Sequence, residues 1–325
     1  MNILIFGGTG FVGLNIASAL LSRSHAVTLF DRAGLPLAAQ RAFQHHGDRL
    51  QVQRGDILDR VAVEAAIAAG VDAIVLGAAI TSDAERDAAD PEGILQVNLM
   101  AQTPILVAAR RHGVRRVINL SSAGAYGAAA YRHALLDEDL PCDPQSLYAI
   151  TKFASEKVAA RLAALWQFDI VSVRLSGVFG PWERATDVRD TLSPQMQIMD
   201  ALHEGREAVL PRPGFKDWIY APDVADAVAV LIEAARPQHG LYNISTGMEW
   251  SALQWGQALA VWNPGFVCRL AVDGEASNIN LHSDVDRAPL SVTRLEQECG
   301  WRARFGCADS AADLHDWSAQ HQEGN

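Results

Sequence analysis

The hydrophobic positions of the chain alternate between short continuous runs and longer periodic stretches. We interpret the runs NILIF, AVTLF, LQVQRG, DAIVLGA, RRVINLS and DIVSVRL as six strands. The stretches GFVGLNIASALLSR, RVAVEAAIAAG and PEGILQVNLMAQTPILVAARRHG between them have helical periodicity. Strands that alternate with helices indicate βαβ units and a parallel sheet. The pattern therefore predicts an α/β fold, a Rossmann-type doubly wound parallel sheet.

The pattern changes after Gly177. The segment GVFGPWERATDVRDTLSP is polar and not periodic, and because order resumes after it we expect a functional loop or lid. DVADAVAVLIEAAR and HGLYNIST predict a further helix and strand that return to the sheet, and the remainder predicts a smaller mixed α/β unit. We therefore expect an NAD-binding domain over 1–177 plus about 216–245, and a substrate-binding domain over 178–215 and 246–325.

Charge and apolar run lengths limit the possible partners. The formal net charge of −11 argues against nucleic acid, since phosphate neutralisation needs clustered Lys and Arg. No apolar run is long enough to cross a bilayer, and the N-terminus breaks into glycines before a signal-peptide core could form. We expect a cytoplasmic protein with no membrane partner. The cysteines Cys142, Cys268, Cys299 and Cys307 lack metal-binding spacing, which predicts reduced thiols and no metal site.

A glycine-rich turn follows the first predicted strand. Gly7, Gly10 and Gly13 in NILIFGGTGFVG lie between that strand and a helix, where glycines let a pyrophosphate approach the backbone and the helix N-terminus. Asp31 ends the second strand and can accept hydrogen bonds from both adenosine-ribose hydroxyls, which favours NAD over NADP. Arg32 keeps NADP open, because its guanidinium could bind a 2′-phosphate.

The segment SLYAITKFASEK places a tyrosine and a lysine on one face of a predicted helix. The Lys152 ammonium could then lower the pKa of Tyr148 from its usual ~10 toward the working pH. Tyr148 could take the proton of a substrate alcohol while hydride leaves the same carbon for a nicotinamide. The alternative is an ordinary solvated pair on a helix surface. We interpret the nearby Lys157 as surface.

These motifs together resemble the extended short-chain dehydrogenase/reductases, also called NAD-dependent epimerase/dehydratases. The resemblance covers nearly the whole chain and rests on GGTGFVG, GDILD, GAAIT, VNLMAQTPILVAAR, LSSAGAYG, YAITK, RLSGVFGP, KDWIYAPDVADAV and LYNISTG, in the family's order. It implies a Rossmann domain that binds NAD, a smaller C-terminal substrate domain and often a homodimer. It also implies that Ser122, Tyr148 and Lys152 are catalytic, with Ser121 as the alternative register for the serine.

The resemblance and the strand ends also predict cofactor contacts. Asp56 lies either at the adenine or at a helix cap, and Asn98 either contacts the cofactor or fixes backbone or water near Lys152. Leu175, at the end of the sixth strand, should adjoin the nicotinamide. The full predicted cofactor set is Gly7, Gly10, Phe11, Val12, Gly13, Asp31, Asp56, Ile57, Gly77, Ala78, Ala79, Asn98, Tyr148, Lys152 and Leu175.

The substrate side departs from the family pattern. Ala123 and Gly124 follow Ser122 where dehydratases have an Asp-Glu pair, which disfavours dehydration. Gly177 replaces the asparagine of nucleotide-sugar epimerases and Lys216 replaces an arginine, although Arg287 could substitute for a further one near the C-terminus. The predicted substrate contacts are Thr81, Ser82, Thr191 and Lys216. The side chains left open between ligand contact and an ordinary structural or solvated role are Arg184, Arg189, Arg212, Trp182 and Trp218.

The leading functional interpretation is NAD-dependent hydride transfer at a secondary alcohol of a carbohydrate-like substrate, by a sugar or nucleotide-sugar epimerase. The alternative is a net NAD-dependent dehydrogenase of a non-nucleotide sugar, polyol or hydroxy acid, which shares the first step. A more distant alternative is a non-enzymatic NAD-binding scaffold or redox sensor, because a fold does not fix a function. That last role would tolerate an eroded catalytic set, whereas Ser122, Tyr148 and Lys152 are all present.

Overall fold

The computed structural model describes residues 1–321 of the chain. Its strands are β1 (Asn2–Phe6), β2 (Ala26–Asp31), β3 (Leu50–Arg54), β4 (Ala73–Leu76), β5 (Arg116–Ser122), β6 (Asp169–Leu175), β7 (Val178–Phe179), β8 (Ala208–Leu210), β9 (Phe215–Lys216), β10 (Ile219–Tyr220), β11 (Leu241–Ile244), β12 (Trp250–Ser251) and β13 (Cys268–Leu270). Its helices are α1 (Phe11–Ser22), α2 (Leu37–Phe43), α3 (Arg60–Ala68), α4 (Ala84–Ala89), α5 (Pro91–Leu95), α6 (Gln102–Arg111), α7 (Leu147–Trp166), α8 (Pro194–His203), α9 (Ala221–Glu233), α10 (Ala252–Trp262), α11 (Thr293–Cys299) and α12 (Cys307–His321).

The central sheet has seven strands in the order β11-β6-β5-β4-β1-β2-β3. Every neighbouring pair in it is parallel. The chain builds β2 and β3 on one side of β1 and then crosses to β4, so the strand order reverses between β1 and β4. In such sheets, ligands bind in the crevice at this reversal, beyond the carboxyl ends of the strands. The predicted doubly wound parallel sheet is confirmed.

Both faces of the sheet are covered, which explains why its strands read as continuous apolar runs. Ile3 and Ile5 of β1 pack into the core beneath α1 and α9, whereas Leu4 and Phe6 pack into the core beneath α3 and α6. The side chains alternate between the two faces because successive residues of a strand point to opposite sides. The sheet is therefore a rigid base for the residues at its carboxyl edge.

A second core lies between α8, α10, α12 and the short strands β8 and β13. Trp255, Ile198 and Leu314 are buried in it. Leu295 and Trp301, which also follow residue 246, pack into the sheet core instead. Part of the segment after residue 246 thus packs against the nucleotide-binding half of the protein. The predicted domain boundaries stay a prediction.

The stretch predicted as one helix over 91–113 is divided. It consists of α5, a π-helical turn over Gln96–Met100 and α6. A π turn adds a residue to the helical repeat and rotates the side chains that follow. The strand predicted as DAIVLGA likewise ends at Leu76, so the small residues after it leave the sheet and face the crevice. Within residues 1–321, no helix has the combination of length and apolar character that a membrane crossing needs.

Candidate active site

The glycine turn fits tightly between β1 and the end of β4. Gly7 has φ +76°, and a Cβ placed on it would lie 2.6 Å from the Ala78 backbone nitrogen. A Cβ on Gly13 would lie 2.4 Å from the Gly7 carbonyl oxygen. The N-cap of α1 is Gly10, which has no side chain to occupy the free backbone N–H groups of the first turn. The turn therefore offers backbone donors to an anion in a space that only glycine leaves open.

Asp31 lies at the end of β2 and holds the turn from the other side. Its carboxylate accepts hydrogen bonds from the backbone nitrogens of Thr9, at 3.1 Å, and Ala33, at 3.2 Å. Lone pairs remain for ribose hydroxyls, and the negative charge opposes a 2′-phosphate. The Arg32 side chain is 57% exposed and lies 3.7 Å from the Asp187 carboxylate. The residues present fit NAD.

The alternative role for Asp56 as a helix cap is taken by another residue. Asp59 caps α3 by accepting hydrogen bonds from the backbone nitrogens of Val61, at 2.9 Å, and Ala62, at 3.2 Å. Asp56 instead accepts from the Leu58 nitrogen at 2.9 Å and lines the crevice. Its position is consistent with the adenine contact that we predicted.

Helix α7 presents Tyr148 to the end of β5. The helix begins after Ser146, whose hydroxyl accepts a hydrogen bond from the Ala149 nitrogen at 3.2 Å. The Tyr148 phenol lies close enough to the Ser122 side chain for Ser122 to lower its pKa, and the Ser122 hydroxyl accepts a hydrogen bond from the Gly124 nitrogen at 3.0 Å. Ser121 is buried and donates to Glu156 on the far side of β5. The structure therefore brings Ser122, rather than the register alternative, to Tyr148.

Lys152 lies behind Tyr148, one helical turn along. Its Nζ donates to the Leu120 carbonyl oxygen at 2.8 Å and lies 5.8 Å from the centre of the Tyr148 ring. Burial lowers the pKa of Lys152 to about 8, and the charge of Glu156 opposes this shift. The backbone of β5 thus fixes the ammonium at the base of the crevice.

The pKa of Tyr148 is raised, which is opposite to our prediction. Burial is the largest cause, while the hydrogen bond to Ser122 and the positive charge of Arg189 lower it. The positive charge that lowers the Tyr148 pKa is that of Arg189, in the loop after β7, rather than that of Lys152 on the tyrosine's own helix. The sequence pattern did not show this contribution.

One cleft of about 1670 Å³ joins these elements. It is lined by every residue that we predicted to contact cofactor or substrate, with the single exception of Asn98. Asn98 is completely buried, and its side chain exchanges two hydrogen bonds with the Ile80 backbone and donates to Thr151 Oγ1 at 3.3 Å. Of the two roles left open for Asn98, the structure fits the second: its side chain fixes the backbone behind the cleft wall and is not part of the cleft lining, which does not support the cofactor contact.

The far end of the cleft contains Lys216 and Trp218. The Lys216 Nζ lies 4.3 Å from the Trp218 ring, and no ion pair among residues 1–321 includes it. Burial, followed by the charge of Arg287, lowers the pKa of Lys216 to about 7. A Cβ on Gly177 would lie 2.5 Å from Trp218 Cε3. The indole therefore occupies the space that the family's asparagine would use.

The other side chains whose role the sequence left undecided have partners within the protein. Trp182 packs against Trp317, with ring centres 4.9 Å apart, so it belongs to the core rather than to the cleft. Arg212 is paired with Asp286, and Arg184 donates to the Thr9 carbonyl oxygen at 2.9 Å. None of these side chains is a freely solvated loop residue.

Sequence reasoning did not identify Glu183 or His282. Glu183 is buried and paired with Arg189 in the polar loop after β7, and His282 lines the far end of the cleft. Single polar residues in irregular segments carry no periodic pattern, so only the tertiary structure reveals their position.

Comparison with known proteins agrees with this arrangement. A family model described as the NAD dependent epimerase/dehydratase family matches residues 3–245. The chain belongs to the NAD-dependent epimerase/dehydratase family. It is therefore an enzyme of the extended short-chain dehydrogenase/reductase type, and its family is defined by NAD dependence. The predicted family, enzyme class and cofactor are confirmed at this level.

Several members of the epimerase/dehydratase family resemble the chain over much of its length. A UDP-glucose 4-epimerase from Mycolicibacterium smegmatis is 27% identical, with 96% of each chain covered. A dTDP-glucose 4,6-dehydratase from the same species is 31% identical over 70% of this chain and 67% of its own length. A crystal structure of a UDP-glucose-4-epimerase from Stenotrophomonas maltophila, with bound NAD and formylated UDP-arabinopyranose, has TM-score 0.83 at 24% identity and covers 100% of both chains. At 24% identity, the similarity to this crystal structure shows a shared fold only.

Proposed function

We propose that this protein is a nucleotide-sugar epimerase, which oxidises a secondary alcohol of the sugar and reduces the ketone on its opposite face. The proposal rests on one observation: Ser122, Tyr148 and Lys152 lie together in the cleft that also contains the glycine turn. The similarity to epimerases and dehydratases named for nucleotide sugars supports this substrate class.

The chain's own side chains would supply proton transfer and positioning. Tyr148 would take the hydroxyl proton of the substrate, while Ser122 holds the same oxygen by a hydrogen bond. NAD, when bound, accepts the hydride and later returns it. Gly7, Asp31 and Lys152 would hold NAD at its pyrophosphate, adenosine ribose and nicotinamide ribose. After the ketone has turned within the cleft, Tyr148 would give the proton back to the same oxygen.

The residues after Ser122 argue against dehydration. Ala123 and Gly124 have no acidic or basic side chain, although elimination of water needs one group to protonate the leaving hydroxyl and another to remove a proton. Of the two chemistries in the family name, epimerisation is the one that these residues support.

The far end of the cleft would hold the anionic part of the substrate. Lys216 is half-buried there, and among the described residues it has no carboxylate partner. Its free ammonium would bind a diphosphate oxygen. Thr81, Ser82 and Thr191 line the same cleft, and the sugar would lie against them.

A second candidate function is a net NAD-dependent dehydrogenase of a non-nucleotide sugar, polyol or hydroxy acid. The observation that favours it is the contact between Gly177 and Trp218, since the indole takes the place of a side chain that would otherwise hold a diphosphate. A smaller substrate would not need that side chain.

A substrate screen separates the two functions. The purified protein would be incubated with NAD and, in turn, UDP-sugars, UDP-uronic acids, free sugars, sugar acids and polyols. NADH absorbance and chromatographic separation of epimers would be measured together. An epimer formed without net NADH is the expected result. Net NADH from a non-nucleotide substrate would replace the proposal with the second candidate, and NAD binding without turnover of any of them would contradict both.

We also propose a homodimer that works in the cytoplasm. Exposed apolar side chains follow the surface of the π turn and α7, among them Met100, Ile150 and Leu165, and a second copy of the chain would cover them. The cysteines are free thiols, which suits a reducing compartment. Light scattering of the wild type and of a Met100→Glu/Ile150→Glu variant tests the dimer, since the variant should be monomeric.

A further inference from the structure

The segment 181–184, which follows β7, is attached to the glycine turn and to α1 at two points. The buried Asn15 side chain of α1 donates to the Pro181 carbonyl oxygen at 2.8 Å. Arg184 Nη2 donates to the carbonyl oxygen of Thr9, a residue of the turn itself, at 2.9 Å. The turn, the helix and the segment that carries Arg184 are therefore held together by direct hydrogen bonds.

The two residues that precede Arg184 are anchored in the interior. Trp182 is 9% exposed and packs against Trp317, with ring centres 4.9 Å apart. Its backbone has φ +67°, in the left-handed region that a tryptophan rarely adopts. The Glu183 carboxylate is buried and accepts a hydrogen bond from the Ser193 nitrogen at 2.8 Å. Because both residues are fixed, the fold itself places Arg184 at the turn.

The protein uses only part of the Arg184 guanidinium. Nη2 bonds to Thr9, and Nη1 donates to the Trp182 carbonyl oxygen at 3.3 Å, so both acceptors are uncharged. A guanidinium has five N–H donors, so further donors remain, and Arg184 lines the cleft. Within residues 1–321 it forms no ion pair. Burial lowers its pKa, and the charge of Asp31 opposes this shift from beyond ion-pair distance.

This position is unfavourable for a cation unless an anion lies beside it. The first turn of α1 has free backbone N–H groups, so the helix N-terminus carries a partial positive charge. Gly10 caps the helix without a side-chain bond, and the first turn contains no acidic residue. A guanidinium bonded to the adjoining Thr9 carbonyl is therefore repelled by the helix end. An anion near both would be attracted by both, and a pyrophosphate suits an arginine fork and backbone N–H groups.

We propose that Arg184 is a cofactor-binding residue, which binds the pyrophosphate of NAD together with the N-terminus of α1. It adds a charged side chain to a site that otherwise consists of backbone donors. The inference concerns the cofactor alone, so it does not depend on which substrate the protein takes. The alternative ligand for the free donors of Arg184 is an anionic group of the substrate, and a binding experiment without substrate separates the two.

Nucleotide binding in the absence of substrate tests the proposal. Calorimetry would give the Kd of NAD and of ADP-ribose, and competition would give that of adenosine, for the wild type and for Arg184→Gln. NAD and ADP-ribose should bind about 10- to 100-fold more weakly to the variant, because hydrogen bonds between charged groups are lost. Adenosine has no phosphate, so it should bind equally well to both proteins.

Two further variants make the result specific. Arg212 also lines the cleft, but its charge is paired with Asp286, so Arg212→Gln should leave the Kd of NAD unchanged. Arg184→Lys keeps the charge without the planar fork, and should bind NAD about three- to tenfold more weakly than the wild type. Since lysine is the milder change, this variant gives the answer if Arg184→Gln does not fold.

Stability measurements separate ligand binding from a structural role. In urea without nucleotide, Arg184→Gln should unfold close to the wild type, whereas saturating NAD should stabilise the wild type more than the variant. An unchanged Kd of NAD in the Arg184 variants, or an equal loss of affinity for adenosine, would overturn the proposal. No turnover is measured, so this failure would leave the proposed epimerase activity untouched.

Discussion

The two ends of the cleft are built from different kinds of group. At the nucleotide end, the contacts are backbone and small side chains, such as Gly7 against Ala78, and they leave no space for variation. At the substrate end, long side chains from loops and a short strand meet, such as Lys216 over Trp218 and Arg189 against Glu183. The nucleotide end fits a ligand of one shape, a dinucleotide. At the substrate end, single side chains can be replaced without rebuilding the backbone. We therefore expect substrate choice to depend on the substrate end.

The largest effect is expected at Tyr148, where the two ends meet. Tyr148→Phe removes the only atom that can exchange the substrate proton in our mechanism, and kcat should fall by a factor of about 100 to 10,000. NAD affinity, measured by calorimetry, should stay the same. Tyr131→Phe is the matched control, because Tyr131 is 51% exposed and lies outside the cleft. Full turnover by Tyr148→Phe would show that another group is the acid and base.

Gly7→Ala tests how closely the nucleotide end is fitted. The new Cβ would lie 2.6 Å from the Ala78 nitrogen in a residue with φ +76°, so we expect at least about tenfold weaker NAD binding, the equivalent of ~1.4 kcal/mol. Urea unfolding should also show a loss of about 1–3 kcal/mol. Gly113→Ala is the control, since Gly113 has φ +71° but nothing within 4 Å of the new Cβ. It should lose stability only, and equal NAD loss in both variants would contradict a specific fit.

The nucleotide end could be predicted from the sequence because its determinants are local. A strand, a glycine turn and a helix are consecutive, and Asp31 ends the next strand, so the pattern alone brought Gly7, Gly13 and Asp31 together. Asn98 shows the limit of this reasoning. The π turn that carries it rotates the amide toward the Ile80 backbone, and no periodicity in the sequence indicates such a turn.

The substrate end could be predicted only in part. The spacing of Tyr148 and Lys152 predicted their shared helix face. The upward direction of the Tyr148 pKa shift, however, came from burial in the folded chain, and it is opposed by the charge of Arg189, which is distant in sequence. Trp218 was recognised as a candidate, yet its contact with Gly177 joins residues on different loops. Electrostatics and packing between distant segments are properties of the folded chain and have no local pattern.

Gly177→Asn tests whether the substrate end could hold the family's asparagine. Its Cβ would lie 2.5 Å from Trp218 Cε3, so overpacking should reduce the free energy of unfolding by about 1–3 kcal/mol. Trp218→Ala removes the whole indole, and the double variant should therefore be more stable than the sum of the single changes by about 0.5–3 kcal/mol. Gly205→Asn, at an open position, is the control. Strict additivity in urea unfolding would contradict a direct contact.

The smallest effect is a pH dependence at Lys216. Burial and the charge of Arg287 lower its pKa to about 7, so the ammonium loses its proton as the pH rises through this value and its attraction for an anionic substrate disappears. We expect kcat/KM for a nucleotide sugar to fall between about pH 6 and 8, by less than tenfold, because one partly buried ion pair with the substrate is lost. Lys216→Arg stays charged over this range and should give a flatter profile. The same fall with a neutral polyol as substrate, or in Lys216→Arg, would assign the titration to another group.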